Sequence, residues 1–324
     1  MNTEFPWLDT LQGAAAIDVA ARCGLLEGLA QGSNDVACPP LLETLLTGAG
    51  VTSRSSQTLV LTSHFATAWQ SDSAAIMSRA SFIRRAAADV ATGLDEMVFN
   101  LSGFMQNSAT FRLFRYDMAE NTTPEHLEAT RPWVDYVEAL SRNESPHLVP
   151  LLDVSDGDRI LEIGGNTGLM SEALIATYQG VTSRILDLPA VCALGRERRS
   201  IAGLEFIATD ARHPDALLPF AGEVDVVLFK SVLHDWPEKN ASDMLERAMH
   251  ILSPGGRVIV CERGAYGAAD AADKHANTLS NLVFSPFYRD HAFYSDIIAK
   301  NGFSLTQKSV ELDMMFYATT GTCP

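Results

Sequence analysis

The stretch from Arg159 to Gly168, RILEIGGNTG, places a short apolar run directly before a glycine-rich turn. The run has the length and composition of a buried strand, and its glycines allow a sharp turn and a close approach to a ligand. A dinucleotide site would need G-x-G-x-x-G spacing, whereas these glycines are Gly164, Gly165 and Gly168. The stretch therefore predicts the first strand of a ligand-binding α/β sheet, but it does not identify the ligand.

Further apolar runs follow this one, with helical patterns between them. Such alternation predicts a doubly wound sheet of parallel strands, and ligands of these sheets bind at the carboxyl ends of the strands. A final strand pair with a short connection is expected at the end of the chain. The predicted strands after the first cover residues 183–187, 204–208, 224–229 and 257–261, and the terminal pair covers 303–310 and 314–319.

The first part of the chain reads as mostly helical, with a small hairpin of the reduced winged-helix type predicted in residues 50–66. The polar, Pro-containing stretch 143–158 is the predicted boundary. The chain is accordingly divided into a helical domain, residues 1–145, and an α/β domain, residues 146–324.

The composition limits the class of partner. The chain has 324 residues, which suggests about two domains, and 24 basic against 40 acidic residues give a net charge of −16. Nucleic acids and anionic lipid require clustered Lys and Arg, so neither is expected, and a small-molecule substrate is favoured. No apolar run reaches the ~20 residues of a membrane span. The five scattered cysteines and the lack of a basic leader predict a cytoplasmic protein.

Carboxylates end the first three predicted strands, at Glu162, Asp187 and Asp210. A carboxylate at the second position can accept both hydroxyls of a ribose, and one at the third can meet the edge of an adenine. Each could instead cap a helix or a turn. Their occurrence in this order favours a nucleoside site.

The segments ILEIGGNTG, ILDLPAV, LFKSVLHDWPE and ILSPGGRVIVCERG resemble the S-adenosylmethionine-dependent methyltransferases of the caffeate-type O-methyltransferase family. The resemblance also includes GLLEGLA and LTSHFA in the first part of the chain. It implies a class I methyltransferase sheet, S-adenosylmethionine as methyl donor, and a homodimer formed through the helical domain.

The resemblance also implies a donor site, position by position. Gly164, Gly165 and Gly168 would line the methionine part of the donor, and Lys230 would bind its polar end. Asp187 would hold the ribose. Asp210 would lie at the adenine region, and Trp236 would pack against the adenine. The predicted donor-binding set is Glu162, Gly164, Gly165, Gly168, Asp187, Leu188, Asp210, Ala211, Lys230 and Trp236.

In the resembled family the His of the HDW motif is the general base, and that residue here is His234. An imidazole has a pKa near neutrality and is well suited to take a phenol proton. Glu262, at the end of the fifth predicted strand, would orient it. With Asp235 and His291 these residues form the predicted catalytic set.

His291 departs from the family pattern, because it stands close to the usual position of a second active-site carboxylate. The set His234, Asp235 and His291 is suited to Fe(II) or Zn(II). A metal would stabilise the enolate of a 2-oxo acid, as in resembling methyltransferases that methylate the β-carbon of such acids. Candidates to bind the acid's carboxylate are Arg112, Arg115, Arg263 and Arg289.

Three hypotheses follow. The leading one is metal-assisted C-methylation of a 2-oxo acid, which depends on His234 and His291. The alternative is metal-free O-methylation of a phenolic or other hydroxylated metabolite, with His234 as base. The third is a protein that binds the donor without transferring its methyl group, since fold does not fix function.

Overall fold

The computed structural model describes residues 5–33, 37–56 and 58–324. The chain forms two compact units. Unit 1 extends to Phe114 and includes Ala271–Val283, and unit 2 comprises Arg115–Asp270 and Phe284–Pro324. Within the described ranges, no helix combines the length and the apolar character that a membrane span requires.

Unit 1 is mainly helical and contains one antiparallel hairpin, formed by β1 and β2. The hairpin predicted in residues 50–66 is thus confirmed. The longest helix, α4, is kinked at Asp72, where the backbone leaves the helical region. A core that includes Trp7, Ile17 and Phe65 is buried among these elements. The helices and strands in the first segment of this unit are α1 (Leu11–Arg22), α2 (Leu25–Ala30), α3 (Pro40–Gly48), β1 (Thr52–Ser55), β2 (Thr58–Leu61), α4 (Ser63–Phe99) and α5 (Leu101–Asn107).

Unit 2 is built on a seven-stranded sheet with the strand order β5-β4-β3-β6-β7-β9-β8. The first five strands in this order are parallel, and β9 pairs antiparallel with both β7 and β8. The elements are α6 (Pro124–Leu148), β3 (Arg159–Ile163), α7 (Leu169–Thr177), β4 (Thr182–Asp187), α8 (Pro189–Arg198), β5 (Leu204–Ala208), β6 (Val226–Lys230), α9 (Glu238–His250), β7 (Arg257–Arg263), α10 (Ala268–Ala271), α12 (His291–Lys300), β8 (Ser304–Glu311) and β9 (Met315–Thr322). The helix α11 (Leu279–Phe284) falls almost entirely in the second segment of unit 1.

Helices cover both faces of this sheet, which explains why its central strands are apolar throughout. Successive side chains of a strand point to opposite faces, so Val227 and Phe229 of β6 join a core with α9 and α12. Val226 and Leu228 join a second core that includes Met170 of α7. The predicted doubly wound sheet with a terminal strand pair is confirmed.

The helix α6 belongs to the sheet unit, although the sequence assigned it to the helical domain. Its buried Glu144 accepts hydrogen bonds from Lys230 of β6 and Arg263 of β7. Its Glu138 pairs with Arg198 of α8. Buried charges need such partners, so these ion pairs fix α6 to the sheet, and the observed division after Phe114 precedes the predicted boundary near residue 145.

Candidate active site

The turn after β3 has a backbone conformation that few residues other than glycine adopt. Gly164 and Gly168 have φ angles of +69° and +85°, in the left-handed region that favours glycine. A Cβ atom at Gly164 would lie 2.5 Å from Cγ2 of Val232. Asn166 also has a positive φ, and its backbone N–H donates to the Asp187 carboxylate at 2.8 Å. The turn therefore forms a narrow backbone cradle at the carboxyl edge of the sheet.

Asp187 lies beside this cradle, at the end of β4. Its carboxylate accepts a second hydrogen bond from the N–H of Leu188 at 2.7 Å. Burial raises the pKa of Asp187 to about 6, although both N–H groups stabilise the carboxylate. A carboxylate offers about four lone-pair positions, so Asp187 keeps capacity for the hydroxyls of a ribose.

The end of β5 is organised by Arg212, which the sequence analysis missed. The guanidinium of Arg212 donates to both carboxylate oxygens of Asp210, at 2.9 and 2.6 Å, and lies 4.4 Å from the ring centroid of Trp236. Arg247 of α9 donates to the carbonyl of Ala211 at 3.1 Å. Asp210, Ala211 and Trp236 thus lie in one cluster, held by two arginines.

Two predicted donor-binding residues have buried partners within unit 2. Lys230 forms an ion pair with Glu144, whose pKa falls to about 2 because Lys230 and Arg263 outweigh the effect of burial. Glu162 accepts a hydrogen bond from the Ser171 hydroxyl. Burial raises the pKa of Glu162 to about 7. The ammonium group of Lys230 is therefore engaged by α6.

His234 and Glu262 meet at the ends of β6 and β7. The Nδ1 atom of His234 lies 2.6 Å from a carboxylate oxygen of Glu262. The other oxygen accepts the backbone N–H groups of Val232 and Leu233 at 2.9 and 2.8 Å. Because Glu262 accepts hydrogen bonds, Nδ1 carries the proton and Nε2 of the neutral ring is left to accept one.

The charges around His234 favour its protonated form. Burial alone would lower the pKa of His234, but the carboxylates of Glu262 and Asp235 outweigh it and raise that pKa. Burial would in turn raise the pKa of Glu262, which is lowered instead by His234 and by the two backbone N–H groups. His234 is thus arranged to gain a proton and to keep the resulting charge stabilised.

A short 3-10 turn, Leu233–Asp235, carries His234 and Asp235. Hydrogen bonds from Tyr116 and from Arg289 hold this turn in place. Asp235 lies 3.4 Å from Nε2 of His234 and accepts the hydroxyl of Tyr116 at 3.1 Å. Arg289 donates to the carbonyls of Leu233, at 2.8 Å, and of Trp236. Sequence reasoning missed the contact with Tyr116, since no local pattern links residues so far apart.

Changing Glu262 to Gln should lower the pKa of His234, because it removes the negative charge that raises it. We expect the imidazole of the unchanged protein to titrate above its ordinary value and that of Glu262→Gln to titrate at lower pH. The measurement is an NMR titration of the imidazole, assigned by the signal missing in His234→Asn. Equal pKa values in the two proteins would contradict the pairing.

His291 is not assembled with His234 and Asp235 into a metal site. It begins α12 after the capping residue Asp290, and its ring stacks on Tyr317 of β9 with centroids 4.2 Å apart. Among the described ranges, no group of three His, Cys, Asp or Glu side chains is placed to hold a metal ion. The predicted ligand set of His234, Asp235 and His291 is therefore not supported by the arrangement of these side chains.

The arginines predicted to bind a substrate carboxylate all have partners within their own unit. Arg263 pairs with Glu144 and Asp313. Arg289 donates hydrogen bonds to the carbonyls of Leu233, in the 3-10 turn, and of Trp236, directly after it. In the same way Arg115 pairs with Asp117, and Arg112 donates to the carbonyl of Gln106.

Solved structures share this fold along nearly the whole chain. Human N-acetylserotonin methyltransferase in complex with SAM superposes with a TM-score of 0.67 at 15% identity, covering 97% of this chain and 94% of that one. At this identity the likeness shows the fold alone.

Curated relatives match a shorter region. A 3-hydroxy-5-methyl-1-naphthoate 3-O-methyltransferase of Streptomyces sahachiroi is 31% identical over 115 residues, which are 36% of this chain and 33% of that protein. An L-tyrosine C(3)-methyltransferase of Streptomyces lavendulae is 29% identical over 140 residues, 42% of this chain and 37% of that protein. The matched region thus spans about a third of these relatives' length.

The model of the O-methyltransferase domain family matches residues 129–304, more than half of the chain. The match includes the cradle after β3, the 3-10 turn with His234, and Glu262. The resemblance to O-methyltransferases is confirmed, whereas a likeness to metal-dependent 2-oxo acid C-methyltransferases is not supported. The chain belongs to the O-methyltransferase domain family.

Proposed function

We propose that the protein transfers the methyl group of S-adenosylmethionine to a hydroxyl oxygen of a small aromatic metabolite, with His234 as general base and without a metal. The observation that carries this proposal is the buried pair of His234 and Glu262, with Nδ1 of the imidazole 2.6 Å from the carboxylate. This arrangement is suited to removing a proton from a hydroxyl group.

The residues at the carboxyl edge of the sheet fit the donor. The turn after β3 requires glycine at Gly164, because a Cβ atom there would clash with Val232, and Asp187 presents a carboxylate beside this turn. The turn would hold the methionine part, Asp187 the ribose, and the cluster of Asp210 and Trp236 the adenine. When bound, S-adenosylmethionine supplies an electrophilic methyl group on a positively charged sulfur.

His234 performs the proton transfer in this proposal. Its Nε2 takes the hydroxyl proton as the substrate oxygen forms its bond to the methyl carbon, and the C–S bond electrons remain on sulfur. Glu262 holds the Nδ1–H and stabilises the imidazolium, as does Asp235 at 3.4 Å from Nε2. Arg289 and Tyr116 keep the turn in place and do not exchange protons.

Oxygen is favoured over the β-carbon of a 2-oxo acid for two reasons. The arginines available for a carboxylate have other partners, and His291 stacks on β9 rather than completing a ligand set. The name of one relative points the same way, since it is a 3-O-methyltransferase of a hydroxynaphthoate. A phenol needs no metal, because its oxygen is a competent nucleophile once it has lost its proton.

The experiment is incubation with methyl-labelled S-adenosylmethionine and a panel of phenols, hydroxynaphthoates and 2-oxo acids, with and without chelator. We expect label in phenolic products, at rates that chelator does not change. Label in 2-oxo acids alone, lost with chelator, would overturn the proposal. Donor binding without transfer to any acceptor would favour the third hypothesis.

We also propose a homodimer formed through unit 1. The end of α4 exposes a cluster of apolar side chains, with Leu94, Val98 and Phe99 exposed by 43%, 62% and 87%. Exposed apolar clusters commonly mark interfaces between proteins. Since the family resembled here is dimeric, a second copy of the chain is the proposed occupant.

Changing Phe99 to Asp should therefore shift the protein from dimer to monomer, because a charge in an apolar interface has no partner. Light scattering coupled to gel filtration measures the mass directly. Leu41→Asp is the matched control, since Leu41 is 71% exposed on another helix, α3. A monomeric unchanged protein would contradict the dimer, and a dimeric Phe99→Asp would contradict this location.

A further inference from the structure

Tyr288 lies against the proposed base, although no sequence pattern singled it out. Its ring packs edge-to-face on the His234 imidazole, with centroids 5.3 Å apart and an interplanar angle of 74°. The next residue, Arg289, donates to two carbonyls beside His234. The backbone at Tyr288 is therefore tied to the catalytic turn, and its ring has a fixed place beside the imidazole.

The hydroxyl of Tyr288 has an unused hydrogen-bonding capacity. The residue is partly buried, and none of the hydrogen bonds found among the described residues involves its hydroxyl. Hydroxyls of tyrosines in such positions usually find a partner. A ligand bound beside the His234 imidazole would offer such a partner, because the Tyr288 ring packs against that imidazole.

The surroundings of Tyr288 keep its proton in place. Burial raises the pKa of Tyr288 far above its ordinary value, and the carboxylate of Asp313 adds to this, against the opposing charge of Arg263. The phenol is therefore neutral throughout the range in which His234 titrates. It donates a hydrogen bond and does not act as a second base.

We propose that Tyr288 determines substrate specificity by donating a hydrogen bond to a second polar atom of the substrate. The substrate class is then an aromatic hydroxyl compound that also carries an oxygen or nitrogen acceptor, such as an ether, a carbonyl or a second hydroxyl. This inference rests on the proposed O-methylation and adds to it the feature by which substrates are chosen.

A hydrogen bond between neutral groups contributes about a two- to tenfold preference. We therefore expect kcat/KM to favour an acceptor-bearing phenol over a phenol of equal size without the acceptor by up to about tenfold. In Tyr288→Phe, which removes one oxygen atom and keeps the ring against His234, this preference should fall towards one.

The test compares the ortho, meta and para methoxyphenols with the corresponding ethylphenols, which match them in size and lack the ether oxygen. The expected result is a preference for the methoxyphenol in at least one pair, lost in Tyr288→Phe. Tyr178→Phe is the matched control, because Tyr178 packs in the core formed with α7, and it should keep the preference.

The outcomes separate this inference from the proposed function. Methylation of both series with equal kcat/KM, or an undiminished preference in Tyr288→Phe, would overturn the inference and leave O-methylation standing. Methylation of neither series, together with transfer to 2-oxo acids, would overturn the proposed function and this inference with it. Calorimetry with S-adenosylhomocysteine should show unchanged donor-site affinity in Tyr288→Phe, which establishes that the variant is folded.

Discussion

Replacing His234 with Asn should lower kcat by about 10²- to 10⁴-fold, the usual contribution of a positioned general base. The imidazole is buried and its Nδ1 is held by Glu262 at 2.6 Å, so Nε2 is the ring atom that is left to take the proton. Asparagine has a similar shape near the backbone but cannot take the proton. The measurement is the rate of methyl transfer to a phenol that the unchanged protein methylates.

The loss should be confined to the chemical step. Affinity for S-adenosylhomocysteine, measured by calorimetry, should stay within the error of that for the unchanged protein, because His234 lies on the substrate side of the turn in our proposal. His250→Asn is the matched control: His250 is exposed at the end of α9. A His234→Asn variant with full activity would exclude His234 as the base.

The second large effect concerns the donor. Replacing Asp187 with Asn should weaken the binding of S-adenosylhomocysteine by about 10- to 100-fold, since hydrogen bonds to a charged group contribute about 1.5–3 kcal/mol each. The carboxylate would accept the ribose hydroxyls and also holds the N–H groups of Asn166 and Leu188. An amide cannot accept all of these bonds, because one of its two polar atoms is a donor.

The pH dependence of binding provides an independent check of Asp187. Its pKa is raised to about 6, so the affinity of the unchanged protein should fall as the pH is lowered through that value and the carboxylate gains a proton. In Asp187→Asn this dependence should be weaker. Asp225→Asn is the control, because Asp225 pairs with Arg159 at the opposite, amino-terminal end of the strands. Unchanged affinity in Asp187→Asn would contradict its proposed role.

Local sequence patterns predicted the α/β half of the fold closely. The run RILEI gave the first strand with the same bounds as the observed Arg159–Ile163, because a short apolar run between polar residues has few alternatives to a buried strand. The pairing of His234 with Glu262 was expected from the resemblance to the O-methyltransferase family, and the structure brings the two side chains together at the ends of the neighbouring strands β6 and β7.

Features that depend on contacts between distant residues could not be predicted in this way. The stacking of His291 on Tyr317 decides where that imidazole points, and nothing near His291 in sequence encodes it. Lys230 ends β6 as expected, but its partner Glu144 comes from α6. The same ion pair explains why α6 belongs to the sheet unit, and Tyr116 and Tyr288 meet the turn only through tertiary packing.

The atom that receives the methyl group tests the central proposal most directly. The protein is incubated with carbon-13 methyl-labelled S-adenosylmethionine, a hydroxylated aromatic substrate and an excess of chelator, and the product is examined by carbon NMR. We predict that the labelled carbon has the chemical shift of a methyl ether and that chelator does not reduce its yield. A labelled methyl group bonded to carbon, or a signal that disappears with chelator, would contradict metal-free O-methylation.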